Sequence, residues 1–409
     1  MNIKIIHPLF TIYGGAEKVV LDWFNQLKKE HEVELHTLYY NNCLKNLENV
    51  FWATKELPKL NNVFGFKINP FNRKAIKITA KHLAENIKKE DIIFYTVFPA
   101  PLIINEAIKI NPSIKNNKII FHSFEPDRIL YYREQKKLNL LPPDVHNWKF
   151  NLITRVLGRW RRIDKKVVNK YVDYSTTMSD FVTALTKKFY SKLKVSTVME
   201  MYVHLDNFKL FSKEQARKNL NEHYKFGLKN SDFIILSMGR LEKSKGVEEL
   251  LEIVKQIKEE GKIQPKLLIG GKGELYDFLI EKTKNLNYVH MLGFVPDKLL
   301  SSLYCAGNIF VFLGINETGG PLTVIEAMYA KNLIVASNKG GPPELMEDEK
   351  HGFLVDTTNN KEIKEAIKKC YDVWKTKEYN KMTSEGQKKV TKFFSFKRNY
   401  KDLINALKL

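Results

Sequence analysis

The sequence has few of the features that stabilise small secreted proteins or anchor membrane proteins. Its three cysteines, Cys43, Cys305 and Cys370, stand far apart without a C-x-x-C pair or a Cys/His cluster, so neither a disulfide framework nor a zinc site is indicated. No stretch approaches the roughly 18 apolar residues of a membrane span, and residues 1–8 lack the apolar run of a signal peptide. The sequence therefore predicts a cytoplasmic protein.

Acidic residues are also scarce relative to basic ones. There are 46 aspartates and glutamates against 67 lysines and arginines, which gives a formal net charge of +21. This charge favours a polyanionic partner, such as a nucleic acid, an anionic membrane or a phosphorylated substrate, although a lysine-rich composition without function explains it equally well. The densest basic stretches, residues 67–81 and 155–170, also contain apolar and aromatic residues, which suits a membrane surface better than base readout. Peripheral contact with the inner face of the membrane is therefore a hypothesis.

What the sequence does have is length and a regular alternation of elements. For 409 residues, two domains of roughly 200 residues each are the natural expectation. Short β-rich runs alternate with amphipathic helices in two series, which begin at residues 3–6 and 233–237 and predict parallel sheets covered by helices. Residues 128–169 are predicted to be less regular.

We therefore predict an α/β protein with two doubly wound, Rossmann-like domains. The first is predicted to comprise residues 1–207 and the second to comprise residues 208–392. A C-terminal helix over about residues 393–409 is expected to pack back on the first domain.

The stretch S-M-G-R-L-E-K-S-K-G, residues 237–246, follows a buried strand and precedes a helix. It therefore lies at the carboxyl edge of a predicted parallel sheet, where open α/β folds bind their ligands. Arg240 and Lys245 stand five residues apart and can converge on one diphosphate, the arginine with a planar fork of donors and the lysine with a compact charge. A solvated basic loop is the alternative for this stretch taken alone.

A second stretch, N-E-T-G-G-P-L-T-V-I-E-A-M at residues 316–328, joins another buried strand to a helix predicted to begin near Leu322. Gly319 and Gly320 would let backbone N–H groups approach a phosphate, and the helix dipole favours that anion. Glu326, one turn into the helix, is placed to accept hydrogen bonds from ribose hydroxyls. A plain turn with a surface carboxylate explains the same residues if the stretch is taken alone.

Two further candidate sites lie in the first half of the chain. Gly14 and Gly15 stand between the first strand and the first helix, where glycine permits close approach of the backbone to a ligand. A structural turn explains them too. His122 ends a buried strand, and a histidine there is either structural or faces the ligand cleft.

Three motifs, taken in order, resemble those of retaining glycosyltransferases with the GT-B fold, family four or glycosyl transferases group 1: G-G-A-E at 14–17, G-R-L-x-x-x-K-G at 239–246 and E-A-M at 326–328. Three more segments fit the same family: L-G-F-V-P at 292–296, S-N-K-G-G-P-P-E-L at 337–345 and H-G-F-L-V at 351–355. The resemblance covers nearly the whole chain. It implies the GT-B fold, in which two Rossmann-like domains face each other across a cleft.

The resemblance also implies that residues 1–207 bind the acceptor and that residues 208–392 bind the nucleotide sugar, and it implies a role for each matching residue. Arg240 and Lys245 would bind the donor diphosphate and neutralise charge on the leaving group, and Glu326 would hold the ribose. Gly15 would approach the diphosphate from the other domain, and His122 would lie beside the reacting sugar. The backbone around the second glycine pair would bind the phosphate and sugar of the donor: Gly319, Gly320, Leu322 and Thr323.

One feature departs from the family pattern. The family usually places seven residues between its two glutamates, whereas eight residues separate Glu317 from Glu326. Either the loop carries an extra residue at Gly319 and Gly320, or Thr318 occupies the position of the first glutamate. Glu317 is therefore a candidate donor-binding residue with an open alternative.

These observations predict a retaining glycosyltransferase that moves a hexose from a UDP- or GDP-sugar to a lipid-linked or cell-surface polysaccharide acceptor. Retention follows from the resemblance alone. Two fixed cations and a helix N-terminus can stabilise the departing diphosphate, and no D-x-D-like pair stands where a metal-bridged diphosphate would need it, so neither a metal nor another cofactor is predicted.

Two alternatives stay open. A nucleotide-sugar epimerase or a sugar-phosphate synthase would keep the fold and change the reaction. A basic nucleic-acid-binding protein is the alternative from another class, and it ranks lower because no nucleic-acid-binding motif is present.

Overall fold

The structure is a computed structural model that describes residues 1–10, 14–39, 42–55, 61–63, 66–68, 72–127, 130–131, 135, 157–314 and 317–409. Parts of the predicted glycine loops (residues 11–13 and 316) and most of residues 128–156 lie outside the described residues. The side chains of residues 43, 61–63 and 66–68 lie outside them as well.

The chain folds into two compact units: unit 1, Met1–Met199 with Tyr400–Leu409, and unit 2, Glu200–Asn399. Asn399 Nδ2 donates a hydrogen bond of 2.7 Å to the carbonyl oxygen of Glu200, and Val203 pairs with Ser395 in a short bridge. These contacts hold both ends of unit 2 together. By this division, the join predicted at residue 207 lies inside unit 2.

Unit 1 contains the strands β1 (Asn2–Ile6), β2 (Glu32–Tyr39), β3 (Val50–Thr54), β4 (Asn61–Val63), β5 (Phe66–Ile68), β6 (Ile92–Tyr95), β7 (Lys118–Ser123), β8 (Tyr174–Thr177) and β9 (Val195–Val198). Its helices are α1 (Gly15–Leu27), α2 (Arg73–Asn86), α3 (Ala100–Ile110), α4 (Gly158–Tyr171) and α5 (Asp180–Phe189). Seven strands form a parallel sheet in the order β3-β2-β1-β6-β7-β8-β9, and β4 and β5 form a separate antiparallel pair.

Unit 2 contains the strands β10 (Phe233–Met238), β11 (Pro265–Gly270), β12 (Val289–Gly293), β13 (Ile309–Phe312), β14 (Leu333–Ser337) and β15 (Gly352–Val355). The helices that follow α5 are α6 (Lys213–Tyr224), α7 (Val247–Glu259), α8 (Tyr276–Thr283), α9 (Asp297–Ala306), α10 (Leu322–Tyr329), α11 (Pro342–Leu345), α12 (Asn360–Val373), α13 (Lys377–Phe393) and α14 (Phe396–Lys408). The six strands form a parallel sheet in the order β12-β11-β10-β13-β14-β15.

Apolar residues at helical spacing determine how the helices pack on these sheets. In α7, Val247, Leu250, Val254 and Ile257 are buried against the unit 2 core. Burial of each such side chain stabilises the fold by about 1.5–3 kcal/mol. The central strands β10 and β13 are buried along almost their whole length, as expected for a parallel sheet covered on both faces. The α/β class with two doubly wound domains is therefore confirmed.

Helix α4 lies where residues 128–169 were expected to be less regular, and helices α6 and α13 are among those that were not predicted from the sequence. In α4 the inward positions include the buried Asp164 beside Val167 and Val168, so its apolar stripe is short. Helix α13 is largely polar. Its N-cap residue is Thr376, whose side chain accepts a hydrogen bond from the Tyr379 N–H.

Candidate functional site in unit 2

The loops after β10 and β13 lie side by side at the carboxyl edge of the unit 2 sheet. β10 and β13 are neighbouring parallel strands, with β11 and β12 on one side and β14 and β15 on the other. The strand order therefore reverses between them, and such a switch point is where open α/β sheets bind ligands. The described residues of both predicted donor-site stretches, 237–246 and 317–328, include the loops at this crevice.

An ion pair between Lys245 and Glu317 connects the two loops. Nζ of Lys245 donates to Oε1 of Glu317, and the two side chains are 21% and 24% exposed. Arg240 is 61% exposed, and its guanidinium lies 3.1 Å from the carboxylate of Glu242. An exposed pair of this kind contributes little stability. Arg240 can therefore turn toward an incoming anion at small cost, whereas Lys245 is already positioned by the β13 loop.

Gly246 allows the β10 loop to pack against the end of β13. Its φ is +67°, and a Cβ added there would lie 2.6 Å from Cβ of Leu313. Real Cβ contacts are longer than this, so only glycine permits the close approach. The positions of Lys245 and Glu317 therefore depend on backbone packing as well as on their own ion pair.

A second pair of glycines, in the loop after β14, supports the β13 loop. The N–H of Gly341 donates a hydrogen bond of 2.7 Å to the carbonyl oxygen of Glu317. A Cβ at Gly340 would lie 2.1 Å from that same oxygen, and a Cβ at Gly341 would lie 2.0 Å from the carbonyl oxygen of Gly319. The segment that leads into α10 therefore rests on a backbone that only glycine can provide.

Helix α10 presents its N-terminus at this crevice. It begins at Leu322 after Pro321, and no side-chain hydrogen bond caps it. The first N–H groups of a helix, here those of Leu322 and Thr323, have no acceptor within the helix and carry the positive end of its dipole. This arrangement can bind a phosphate.

Glu326 lies one turn further along α10 and is half-buried. Burial and the negative charge of Glu326 raise the pKa of the Tyr304 hydroxyl well above its usual value. The carboxylate therefore stands beside a phenol that stays neutral at physiological pH. In this position the Glu326 carboxylate can accept hydrogen bonds from hydroxyl groups of a ligand.

Sequence reasoning missed a third glycine loop, residues 270–273, which follows β11. The N–H of Leu241 donates to the carbonyl oxygen of Lys272 at 3.1 Å. A Cβ at Gly271, where φ is +121°, would lie 1.8 Å from the carbonyl oxygen of Gly239. The loop that carries Arg240 is thus supported on this side too. The G-G-x-G pattern directly after a buried strand was the signal available in the sequence.

His122 is the second-last residue of β7 in unit 1 and is buried. Its Nδ1 lies 2.8 Å from Oγ1 of Thr176, and its ring packs edge-on against Trp23 and Phe124 at 4.9 and 4.6 Å. Burial lowers the pKa of His122 to about 3, so the ring is neutral. Its Nε2 makes no hydrogen bond with any described residue. A catalytic role for His122 stays a prediction, since this side chain is 1% exposed.

Gly14 and Gly15 open helix α1 in unit 1. The N–H of Gly14 donates a hydrogen bond of 3.0 Å to Oε2 of Glu17, which is one half of a capping box. Both glycines are exposed. Glu17 of the G-G-A-E motif therefore has a structural role at the helix start, and the glycine N–H groups stand at a helix N-terminus.

The predicted site residues fall into both units. Unit 1 holds three of them: Gly14, Gly15 and His122. Unit 2 holds the other eight: Arg240, Lys245, Glu317, Gly319, Gly320, Leu322, Thr323 and Glu326.

The sequence of unit 2 matches a known family. Residues 219–389 fit the family model described as Glycosyl transferases group 1. This match covers most of unit 2. The matched residues contain every predicted donor-site residue of unit 2, and the resemblance seen in the sequence is thereby confirmed.

Similar proteins support the same assignment. An uncharacterized glycosyltransferase of Methanocaldococcus jannaschii is 28% identical over 195 residues, which are 47% of this chain and 49% of that protein. The chain spans about half the length of such curated relatives.

Solved structures resemble the chain over its whole length. A sucrose-phosphate synthase from Thermosynechococcus elongatus has a TM-score of 0.74 at 15% identity, with 100% of this chain and 98% of that chain covered. Anabaena HepE in complex with UDP-glucose has a TM-score of 0.72 at 17% identity, with 100% and 99% covered. These matches confirm the predicted GT-B fold.

Proposed function

We propose that this protein is a retaining glycosyltransferase that moves a hexose from a UDP- or GDP-sugar to a lipid-linked or cell-surface polysaccharide acceptor. The observation that carries the proposal is the switch point of unit 2, where the loop with Arg240 and Lys245 meets the glycine-opened start of α10. Family membership of residues 219–389 supports the same reaction class.

The chemistry follows from where charge develops. As the sugar leaves and becomes oxocarbenium-like, negative charge accumulates on the diphosphate. Lys245, Arg240 and the N-terminus of α10 supply positive charge and N–H donors without a metal. A bound diphosphate would compete with Glu317 for Lys245, which leaves the Glu317 carboxylate available to the hydroxyl groups of the sugar.

Removal of either cation tests this assignment. We expect Arg240→Ala and Lys245→Ala to lower kcat/KM by about 100- to 1000-fold, because each removes a preorganised contact to the leaving group. Lys243→Ala is the matched control, since Lys243 is an exposed lysine on the same loop. Folded Arg240→Ala and Lys245→Ala proteins with full transfer activity would show that the site is assigned wrongly.

The donor base is tested by ligand-induced stabilisation. HepE was solved with UDP-glucose, and by analogy UDP is the first candidate here. A ligand that binds only the folded protein raises its melting temperature, so UDP, GDP and ADP can be compared directly. We expect UDP or GDP to give the largest shift, and Lys245→Ala to reduce it. A shift with ADP alone would contradict the proposed donors.

A sugar-phosphate synthase is the second candidate function. The observation that favours it is the similarity to a sucrose-phosphate synthase over the whole chain. Transfer assays with a sugar phosphate as the sole acceptor, compared with assays containing a membrane lipid extract, separate the two functions. Product formation only with the sugar phosphate would replace the polysaccharide proposal.

Contact with an anionic membrane is proposed for the outer face of α4. Four basic residues are exposed there at helical spacing: Arg159, Arg162, Lys166 and Lys170. The buried Val167 and Val168 belong to the core, so the exposed face attracts lipids by charge. None of the helices in the described part of the chain has the length and apolar character needed to cross a bilayer.

Vesicle binding tests this proposal. We expect the full chain to sediment with vesicles that contain phosphatidylglycerol and to dissociate at high salt. Arg162→Glu with Lys166→Glu should abolish binding. Lys388→Glu with Lys392→Glu changes the same number of exposed charges on α13 and should leave binding intact. Equal loss in both double variants would point to net charge alone and reject α4 as the docking face.

A further inference from the structure

A cluster of two histidines and a glutamate lies in unit 1. Glu34 and His36 are on β2, and His82 is on α2. One ligand atom from each residue lies within 4.8 Å of the others. Oε1 of Glu34 is 2.8 Å from Nε2 of His82, and Oε2 of Glu34 is 3.2 Å from Nε2 of His36.

The register of the sheet explains why these residues converge. Glu34 and His36 are two positions apart on β2, so both side chains point to the same face of the sheet. Helix α2 packs over β2 and β3 on that face. The ring of His82 stacks on Phe51 of β3 at 3.8 Å, and Phe51 is the register partner of His36. Packing of an aromatic ring thus holds His82 above the other two groups.

His36 is 0% exposed, and neither of its ring nitrogens makes a hydrogen bond of acceptable geometry with any described residue. Buried polar atoms without a partner are costly, and a bound ion is one arrangement that would satisfy them. The Nε2 atom instead points toward the carboxylate of Glu34 at a distance of 3.2 Å. In a tetrahedral zinc site, with metal–ligand bonds near 2.1 Å, ligand atoms are about 3.4 Å apart.

We infer that Glu34, His36 and His82 form a site for a divalent transition-metal ion of the zinc type. Two imidazoles and one carboxylate are a ligand set that suits zinc. The side-chain amide of Asn86 lies 3.4 Å from Nδ1 of His82, where an outer partner that orients a ligand ring is expected. The ion would tie β2 to α2 and stabilise unit 1.

Lys4 is the group that such an ion must displace. Its Nζ lies 2.7 Å from Oε2 of Glu34 and 4.0 Å from Oδ2 of Asp91. Asp91 is 2% exposed, and its Oδ1 has no hydrogen-bond partner among the described residues. A small movement of Lys4 toward Asp91 would therefore satisfy that carboxylate and release Glu34 to the metal.

The cluster also has a path to solvent. A cavity of about 410 Å³ is lined by Lys4, Glu34, Asp91 and His31, at the amino-terminal ends of β1 and β2. It therefore lies at the amino-terminal edge of the sheet. Open α/β folds bind their ligands at the opposite, carboxyl edge. The inferred metal is therefore separate from the donor chemistry proposed for unit 2.

The test uses the full-length, tag-free chain after treatment with a chelator. Co²⁺ is added as a spectroscopic probe, and Zn²⁺ binding is measured by calorimetry. We expect one equivalent of metal per chain, visible absorption bands of tetrahedral Co²⁺ that Zn²⁺ removes, and at least about tenfold weaker binding in His82→Ala. His82 is partly exposed, so this variant should fold.

The control variant is His31→Ala, which removes a histidine that lines the same cavity but is outside the cluster. It should bind Co²⁺ as tightly as the unchanged chain. Glu34→Gln is a second ligand variant and should weaken binding like His82→Ala. The inference is overturned if no stoichiometric metal binds, or if His82→Ala and Glu34→Gln bind with unchanged affinity. It is overturned equally if His31→Ala loses as much affinity as they do.

Discussion

Lys245 and Glu317 are held together at a position where their pairing adds little to stability. Each side chain is about one fifth exposed, and at such positions the attraction between charges is largely offset by desolvation and by the entropy of ordering two side chains. The pair is better explained as an arrangement that holds the Lys245 cation at the switch point. Glycines determine that placement, because they allow the loops to approach each other.

Gly246→Ala should destabilise the protein by about 2–4 kcal/mol, because it combines left-handed backbone strain with overlap against Leu313. Two further alanine variants separate the backbone strain from the overlap with Leu313. Gly261 has a φ of +81° but open space around it, so Gly261→Ala should cost about 1–2 kcal/mol. Gly158 has neither feature, and Gly158→Ala should change stability by less than about 1 kcal/mol. Urea unfolding checks the order, and equal costs at Gly246 and Gly261 would exclude the overlap with Leu313.

Asp164 should make the stability of unit 1 depend on pH. Its Oδ2 accepts hydrogen bonds from the hydroxyls of Tyr131 and Tyr190 at 2.5 and 2.8 Å, yet burial raises the pKa of Asp164 to about 7. Between its usual pKa of 3.8 and about 7, the folded protein binds more protons than the unfolded chain. The contribution of Asp164 to stability therefore falls as pH rises through this range.

The measurement is the difference in unfolding free energy between the unchanged chain and Asp164→Asn at pH 5 and pH 8. Relative to the unchanged chain, the variant should gain about 2–3 kcal/mol between these pH values, since the folded-state pKa of about 7 lies about two units above pH 5 and one unit corresponds to about 1.4 kcal/mol. Asp180→Asn, which changes an exposed aspartate, should show no such gain. A gain of the same size at both positions would reject the assignment to Asp164.

At the scale of elements, helix α6 is attached to unit 2 through a buried arginine. Arg217 is 2% exposed, and its guanidinium donates to the carbonyl oxygens of Ala306, Lys229 and Asn230 and to Oδ1 of Asn308. Ala306 ends α9, so this side chain satisfies a helix C-terminus. The planar guanidinium provides a geometry that lysine cannot reproduce.

Arg217→Met should therefore destabilise unit 2 by about 3–5 kcal/mol, because several buried acceptors lose their donor. Lys218→Met, at the exposed neighbouring position, should change stability by less than about 0.5 kcal/mol. Thermal unfolding followed by circular dichroism distinguishes the two. Similar melting temperatures for both variants would mean that Arg217 is dispensable for the packing of α6.

At the scale of the whole molecule, the chain ends in the unit where it began. Residues from Tyr400 onward belong to unit 1, and the hydroxyl of Tyr174 on β8 donates a hydrogen bond to the carbonyl oxygen of Ala406 on α14. Leu403 is 0% exposed, whereas Leu409 is 70% exposed. The last helix from Tyr400 onward is thus a structural part of unit 1, although it is distant in sequence.

Leu403→Ala should reduce the stability of unit 1 by about 2–5 kcal/mol, the usual cost of a cavity in a packed core. Leu409→Ala removes the same atoms from an exposed site and should have almost no effect. Hydrogen exchange of amides in β7 and β8 is the direct measurement. Unchanged protection of these amides in Leu403→Ala would contradict the role assigned to α14.

Much of the fold could be predicted because local patterns encode it. Strand β10 and the start of α7 lie where the apolar spacing placed them, since buried parallel strands are continuous apolar runs and helices repeat every 3.6 residues. Helices α4 and α13 were missed because basic or polar residues dominate their exposed faces. Their inward positions are recognisable only once the surface they cover is known.

The sequence by itself determined the α/β class and the loops that carry Arg240, Lys245 and Glu326, since each is a local arrangement of residues next to a strand or helix. Only the tertiary structure decided which distant residues meet. The adjacency of β10 and β13 pairs Lys245 with Glu317, and the register of β2 beneath α2 brings His36 to His82. The physical reason is that strand order and register depend on burial summed over a whole sheet, and no local stretch of sequence contains that sum.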